Sequence, residues 1–385
     1  MRRRVAGAVG FAALLFLLVQ LGALALVPTF YDQGYQTVED PSDPTNSLVY
    51  IGAILVATAL MLAAFKFDLD WAVRGFVVLA AASLAWYVFS VLLPPLAAIS
   101  ASVALAVLLV IHPEWYVIDA AGVLMGAGAA GLFGISFGLL PAILLLAVLA
   151  VYDAISVYGT EHMLDLASGV MDLNLPVVLV VPTSLSYSLG DSTPDVVDDA
   201  SGDDEPAEAS ADTATDETSV DAGTDDTSTG TATDDTSTGT ATDDISTGTT
   251  TDDTSTETAT ADAPGPATDA EPGDDTDETG VRDAFFIGLG DAVMPTVMIA
   301  SAAFFVPSRF APSLGVPGLP ALNLPALTAM VGTFAGLFAL LWLVLKGRAH
   351  AGLPLLNGGA IGGYLVGALA AGISLIDALG LGPYL

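Results

Sequence analysis

Apolar residues run in long blocks along this chain rather than alternating on one face. A helix needs about 20 apolar residues to cross a bilayer. By that measure nine blocks qualify, at 5–27, 47–65, 72–92, 94–111, 117–137, 139–158, 284–306, 326–346 and 354–375. Pro94 and Pro95 mark a tight turn between the third and fourth. Gly and Ala are plentiful inside the blocks, which suits close helix packing in lipid. The pattern predicts an all-α membrane protein of nine transmembrane helices.

The pattern fails completely between the sixth and seventh blocks. Residues 190–283 are mostly Asp, Thr, Ser, Gly, Ala, Glu and Pro with almost no large apolar side chains, and an Asp-Asp-Thr-Ser unit recurs, with small variations, with a period of nine at Asp225, Asp234, Asp243 and Asp252. Such a segment buries too little apolar area to offset its ordering entropy, so it reads as a disordered acidic linker. It lacks the Gly-Gly-x-Gly-x-Asp signature of a calcium-binding β-helix. The expected organisation is therefore helices one to six over 1–158, a bridging segment over 159–189, the linker over 190–283, and helices seven to nine over 284–385. Within the bridge, Glu161 to Asp172 alternate with apolar residues as in a surface-lying amphipathic helix. Val177 to Val181, bounded by Pro176 and Pro182, read as a β-strand.

Charge separates the two materials and orients the body. The chain has 385 residues, 43 acids against 9 bases and a net charge of −34. The linker holds 29 of those acids and a single base, Arg282, which leaves the body with 14 acids and 8 bases, a net of −6. An acidic chain without Cys excludes a basic nucleic-acid binder, a disulfide-stapled domain, a Cys-ligated zinc site and a thiol nucleophile. With the N-terminus in the cytoplasm, Arg2, Arg3, Arg4, Lys66, Arg74, Arg282, Lys346 and Arg348 fall inside and only Arg309 outside. That asymmetry supports a multi-pass cell-membrane protein with its large loop cytoplasmic. Arg2–Arg4 followed by an apolar stretch and Ala23-Leu24-Ala25 also fits a signal peptide, though the stretch is long for one. The excess of Asp over Lys (two in all) suits a salt-rich cytoplasm, as in a halophilic archaeon.

Ionisable groups within spans are expensive, about 2.5–3.5 kcal/mol each at the centre on the insertion scale. Asp119 and Asp377 lie near span ends, where water is within reach. Asp153 and Asp291 do not. Asp153 follows Tyr152 late in the inward-running sixth span, and Asp291 follows Gly288-Leu289-Gly290 early in the outward-running seventh. At 1.5 Å per residue both lie roughly 8–10 Å below the cytoplasmic surface. Two carboxylates at short range cannot both ionise cheaply, so one proton is shared. One member then takes a proton from an attacking water while the other polarises the carbonyl, chemistry that needs no cofactor or metal. Gly288 and Gly290 leave the backbone bare beside Asp291, and Pro295 lacks the amide that would bond the Asp291 carbonyl. Paired intramembrane carboxylates also suit a proton or ion pathway, the alternative function.

The Tyr152-Asp153 and Gly288-Leu289-Gly290-Asp291 pairs, on adjacent spans separated by a long loop, resemble the presenilin and signal peptide peptidase family of intramembrane aspartyl proteases. The N-inside orientation resembles the presenilin branch. Prepilin peptidases share Gly-x-Gly-Asp, but with a different span layout. The resemblance implies Asp153 and Asp291 as catalytic residues, with transmembrane proteins or peptides as substrates. It also implies a Pro-Ala-Leu motif at the cytoplasmic start of the last span. Literal copies at Pro320–Leu322 and Pro325–Leu327 fall on the outer side, so the motif maps to Pro354-Leu355-Leu356, with Leu355 in place of Ala. Asn357-Gly358-Gly359 after it reads as a flexible stretch. A substrate locally unwound for cleavage is expected to pair its backbone with the Val177–Val181 strand or the segment before span seven.

Overall fold

The computed structural model describes residues 2–159, 178–182, 284–346 and 351–384. The linker, most of the bridging segment with its amphipathic stretch, and Arg282 and Arg348 lie outside these residues. Each apolar block coincides with a helix: α1 (Arg2–Asp32), α2 (Thr45–Lys66), α3 (Asp70–Leu92), α4 (Pro95–Ile111), α5 (Trp115–Ser136), α6 (Leu139–Gly159), α7 (Leu289–Phe305), α8 (Leu324–Val344) and α9 (Gly352–Ala370). Seven are long and apolar enough to cross a membrane; α4 and α7 are apolar but only 17 residues long. A short α10 (Leu375–Ala378) and a 3-10 turn (Gly382–Tyr384) follow.

The seventh block corrects the expectation of an entirely helical body. Its first residues, Ala284–Gly288, form a strand, β2, paired antiparallel with β1 (Val178–Pro182). The register sets Val178 opposite Gly288, Val180 opposite Phe286 and Pro182 opposite Ala284. Phe285, Phe286 and Ile287 favour strand over helix, and Gly288 and Gly290 weaken any helix that would run back through them. Helix α7 therefore starts five residues later than the hydropathy suggests, and Asp291 falls in its first turn.

The outer helices turn many large apolar side chains outward, as expected in lipid. Leu48, Leu60, Trp71, Phe76, Leu96 and Ile111 are exposed on α2, α3 and α4. Helix α2 buries only Ser47, whose hydroxyl donates to the Pro141 carbonyl at 2.7 Å. Helix α5 is the most enclosed of the seven long helices and buries Gly122, Gly126, Gly128, Gly131 and Gly134. A Cβ at Gly134 would collide with Ala300 of α7, and one at Gly126 would crowd Val19 of α1 and Leu289 of α7. Helix α1 lies inside this packing, with Phe16, Val19, Ala23, Val27 and Phe30 fully buried, so the stretch that resembled a signal peptide is part of the core.

Helices α8 and α9 meet along glycines. Gly332 and Gly336 face Gly359, the Leu355–Leu356 backbone and Gly363, and a Cβ at any of these glycines would overlap the opposing main chain. Asn357-Gly358-Gly359 is thus not a flexible stretch. Asn357 is fully buried and donates to the Leu146 carbonyl of α6 at 3.0 Å, and Gly359 is locked against Gly332.

Candidate active site

The polypeptide brings three helix ends and the sheet together at one end of the described helices. Asp153 is buried near the C-terminal end of α6. Its Oδ2 accepts the Leu353 amide of α9 at 3.0 Å, and the Gly352 amide also donates to it. These are first-turn N–H groups, which have no partner within their own helix and carry its positive dipole end. Pro354, the third residue of α9, has no N–H to leave unsatisfied there, so the turn starts cleanly.

Asp291 reaches the same turn from the other side. A Cβ on Gly352 would lie 3.2 Å from both of its carboxylate oxygens. The Asp153 charge also acts on Asp291 through space. Gly352 therefore lies between the two acids, hydrogen-bonded to one through its amide and leaving, by its lack of a side chain, the space that the other occupies. Asp291 is partly exposed and belongs to the first turn of α7, so two helix N-termini point their dipoles at the pair.

The remaining sequence-derived residues fall into two groups. Gly288 and Gly290 are exposed; the space beside Gly290 is open, and the nearest atom to a Cβ on Gly288 would be Asp291 Oδ2 at 3.6 Å. Leu289 is buried against α5. Pro354, Leu355 and Leu356 lie within the first turn and a half of α9, with Leu356 fully buried and the Leu355 carbonyl seated on Gly336. Tyr152 is 44% exposed, on a surface of α6 shared with the exposed Val151 and Ile155. The literal Pro-Ala-Leu copies are remote. Pro325 packs on Gly367, fifteen residues along α9 from Gly352, or roughly 22 Å at 1.5 Å per residue.

Gly352 and the Leu353 amide had no signal in the sequence beyond a glycine two residues before Pro354. Asp119, expected at the water boundary, is instead 3% exposed, and its Oδ1 accepts the Val180 amide of β1 at 2.7 Å. Asp377 is exposed as expected and accepts the Ser374 hydroxyl.

The profile of signal-peptide peptidase and presenilin aspartyl proteases matches residues 13–209 and 265–373. No curated protein matches the chain by sequence. Among solved structures, a presenilin family intramembrane aspartate protease in a C222 crystal is 26% identical, with a TM-score of 0.54, and the match covers 94% of this chain and 99% of that one. The P2 crystal form of a presenilin family intramembrane aspartate protease gives 26% identity and a TM-score of 0.50 over 93% of this chain and 96% of that one. With most of its length matched and two carboxylates converging on one helix terminus, the chain belongs to the signal-peptide peptidase and presenilin aspartyl protease family.

Proposed function

We propose that the chain is an intramembrane endopeptidase in which Asp153 and Asp291 together activate a water molecule against a peptide bond of a membrane-spanning substrate. The observation that carries this reading is the convergence of both carboxylates on Gly352. Two carboxylates brought together in this way share one proton. The ionised member takes a proton from water as it attacks the carbonyl carbon. The protonated member hydrogen-bonds the carbonyl oxygen and later protonates the departing amine. Each proton given is regained within the cycle, so the pair needs no metal or cofactor. Helix dipoles from α7 and α9 offset the charge that such a dyad carries in a low-dielectric setting.

The other residues assist. Gly288 and Gly290 give a substrate backbone close access to Asp291, Tyr152 borders the approach along α6, and Pro354, Leu355 and Leu356 hold the α9 terminus against Gly336. Leu289 packs the start of α7 onto α5. The nine helices are nine spans with the N-terminus, the linker and the dyad on the cytoplasmic side. The excess of Asp over Lys supports a halophilic archaeal source.

Substrate binds as an added strand, and the open edge is that of β2. The Val180 amide is taken by Asp119, so Val180 and Phe286 form a pair that is not hydrogen-bonded across the sheet. By the alternation of antiparallel ladders, the Phe286 N–H and C=O point away from β1. They lie five residues before Asp291, within reach of a peptide that also contacts the dyad.

The test is direct. Protein reconstituted in liposomes cuts a single-span model substrate, and Asp153→Ala and Asp291→Ala each abolish cutting while remaining folded. Ion flux without peptide fragments would instead favour the proton- or ion-pathway function.

A further inference from the structure

Asp119 has no part in the chemistry above, yet it is costly to the fold. Its side chain is buried at 3% exposure near the start of α5, and Oδ2 has no hydrogen-bond partner among the described residues. A buried carboxylate with one oxygen unsatisfied destabilises the folded state, and such groups persist within membranes where they serve function. The bond it does make is specific. Oδ1 receives the Val180 amide at 2.7 Å, in the middle of β1. The ladder then continues through Leu179 opposite Ile287 and Val181 opposite Phe285. Strand β2 passes directly into Gly288, the residue that caps α7, and Asp291 follows three residues later. Asp119 is thus tied to the dyad through one hydrogen bond, one strand pair and one helix start.

We propose that Asp119 is a positioning residue that anchors β1 to α5, so that the sheet presents Asp291 at the height of Asp153 and offers a substrate strand the β2 edge alone. The proposal rests on the endopeptidase reading. It assigns Asp119 no contact with substrate and requires only an acceptor oxygen, not a charge.

The experiment uses the full chain in liposomes with a single-span substrate, measuring kcat, KM, thermal midpoint and, by mass spectrometry, the bonds cut. Asp119→Asn keeps an acceptor for the Val180 amide, so kcat stays within about threefold of the parent and the cut sites are unchanged. Asp119→Leu removes the acceptor. It lowers kcat about 10- to 100-fold with little change in KM, the scale of a small misplacement of reacting groups. It also spreads cleavage over neighbouring bonds. A merely structural role would lower the thermal midpoint and leave the cut sites alone. Val180→Pro removes the donor from the outer edge without touching the ladder, and reproduces the kcat loss and the spread should Asp119→Leu fail to fold. Combined with Asp119→Leu it adds nothing further, because the two changes break one interaction. The proposal is overturned if Asp119→Leu or Val180→Pro cuts at the parental rate and sites, or if folded Asp119→Asn is as inactive as Asp119→Leu. An inactive parent overturns the endopeptidase reading itself, and this proposal with it.

Discussion

Gly352 is where the geometry of single residues decides the chemistry. Its amide faces Asp153 and its Cα faces Asp291 at a spacing that leaves a methyl group too little room. Gly352→Ala would place a Cβ 3.2 Å from both Asp291 oxygens and push that carboxylate aside. Alanine favours a helix over glycine by about 1 kcal/mol, so α9 itself is not weakened. The expected outcome is a kcat at least about tenfold lower, some 1.4 kcal/mol in the barrier, with a thermal midpoint unchanged or raised. Steady-state kinetics beside a melting curve would separate this from misfolding. The two acids were legible in the sequence because a charge inside an apolar run stands out against its cost. Gly352 and Leu353 were not, because they act through main-chain amides that every residue but proline has. Asp119 was misread for a different reason. Position near a helix end gives depth but not what folds over it, and here β1 covers the carboxylate.

At the level of elements, hydropathy located every long helix because lipid imposes one length scale on all of them. It missed β2, since Phe285, Phe286 and Ile287 are equally apolar in a strand. The β1–β2 pair makes a sharp contrast between two proline substitutions. Leu179 is fully buried and its amide belongs to the ladder, so Leu179→Pro breaks the sheet and impairs cleavage. Phe286→Pro removes only the outward N–H of β2, where a strand edge tolerates proline. It should leave the thermal midpoint nearly unchanged and still sharply reduce cleavage of a full-length substrate. Wild-type cleavage by Phe286→Pro would exclude strand addition at this edge. The α8–α9 seam yields a second contrast, read by thermal stability. Gly363→Ala drives a methyl into the Thr328 carbonyl and should cost about 1–3 kcal/mol, the range for overpacking. Gly358→Ala and Gly362→Ala, with nothing within 4 Å, should be neutral or stabilising. Because α9 carries the amides that bind Asp153, the Gly363 change should lower activity as well.

Over the whole molecule, catalysis and the acidic linker are separable in principle. The packed unit takes in residues 1–197 and 279–385, with the dyad, the sheet and the α8–α9 seam all inside it. The linker sequence has almost no large apolar side chain to add to a core, and its 29 acids favour contact with water. Deleting residues 195–278 leaves 183–194 and 279–283, seventeen residues, to connect Pro182 with Ala284. Those two residues are already cross-strand partners, so a loop of that length closes without strain. Closure entropy grows only with the logarithm of loop length, so the shortened hairpin should if anything be more stable. The deleted protein should therefore cut a single-span substrate in liposomes at close to the parental rate, with the same cut sites. Solubility in low salt should change, because the net negative charge of the chain falls towards the much smaller one of the body. A clean deletion that stays folded, retains inhibitor binding and yet loses cleavage would mean that the linker recruits substrate, and the acids would then have to be assigned a partner rather than a solvent.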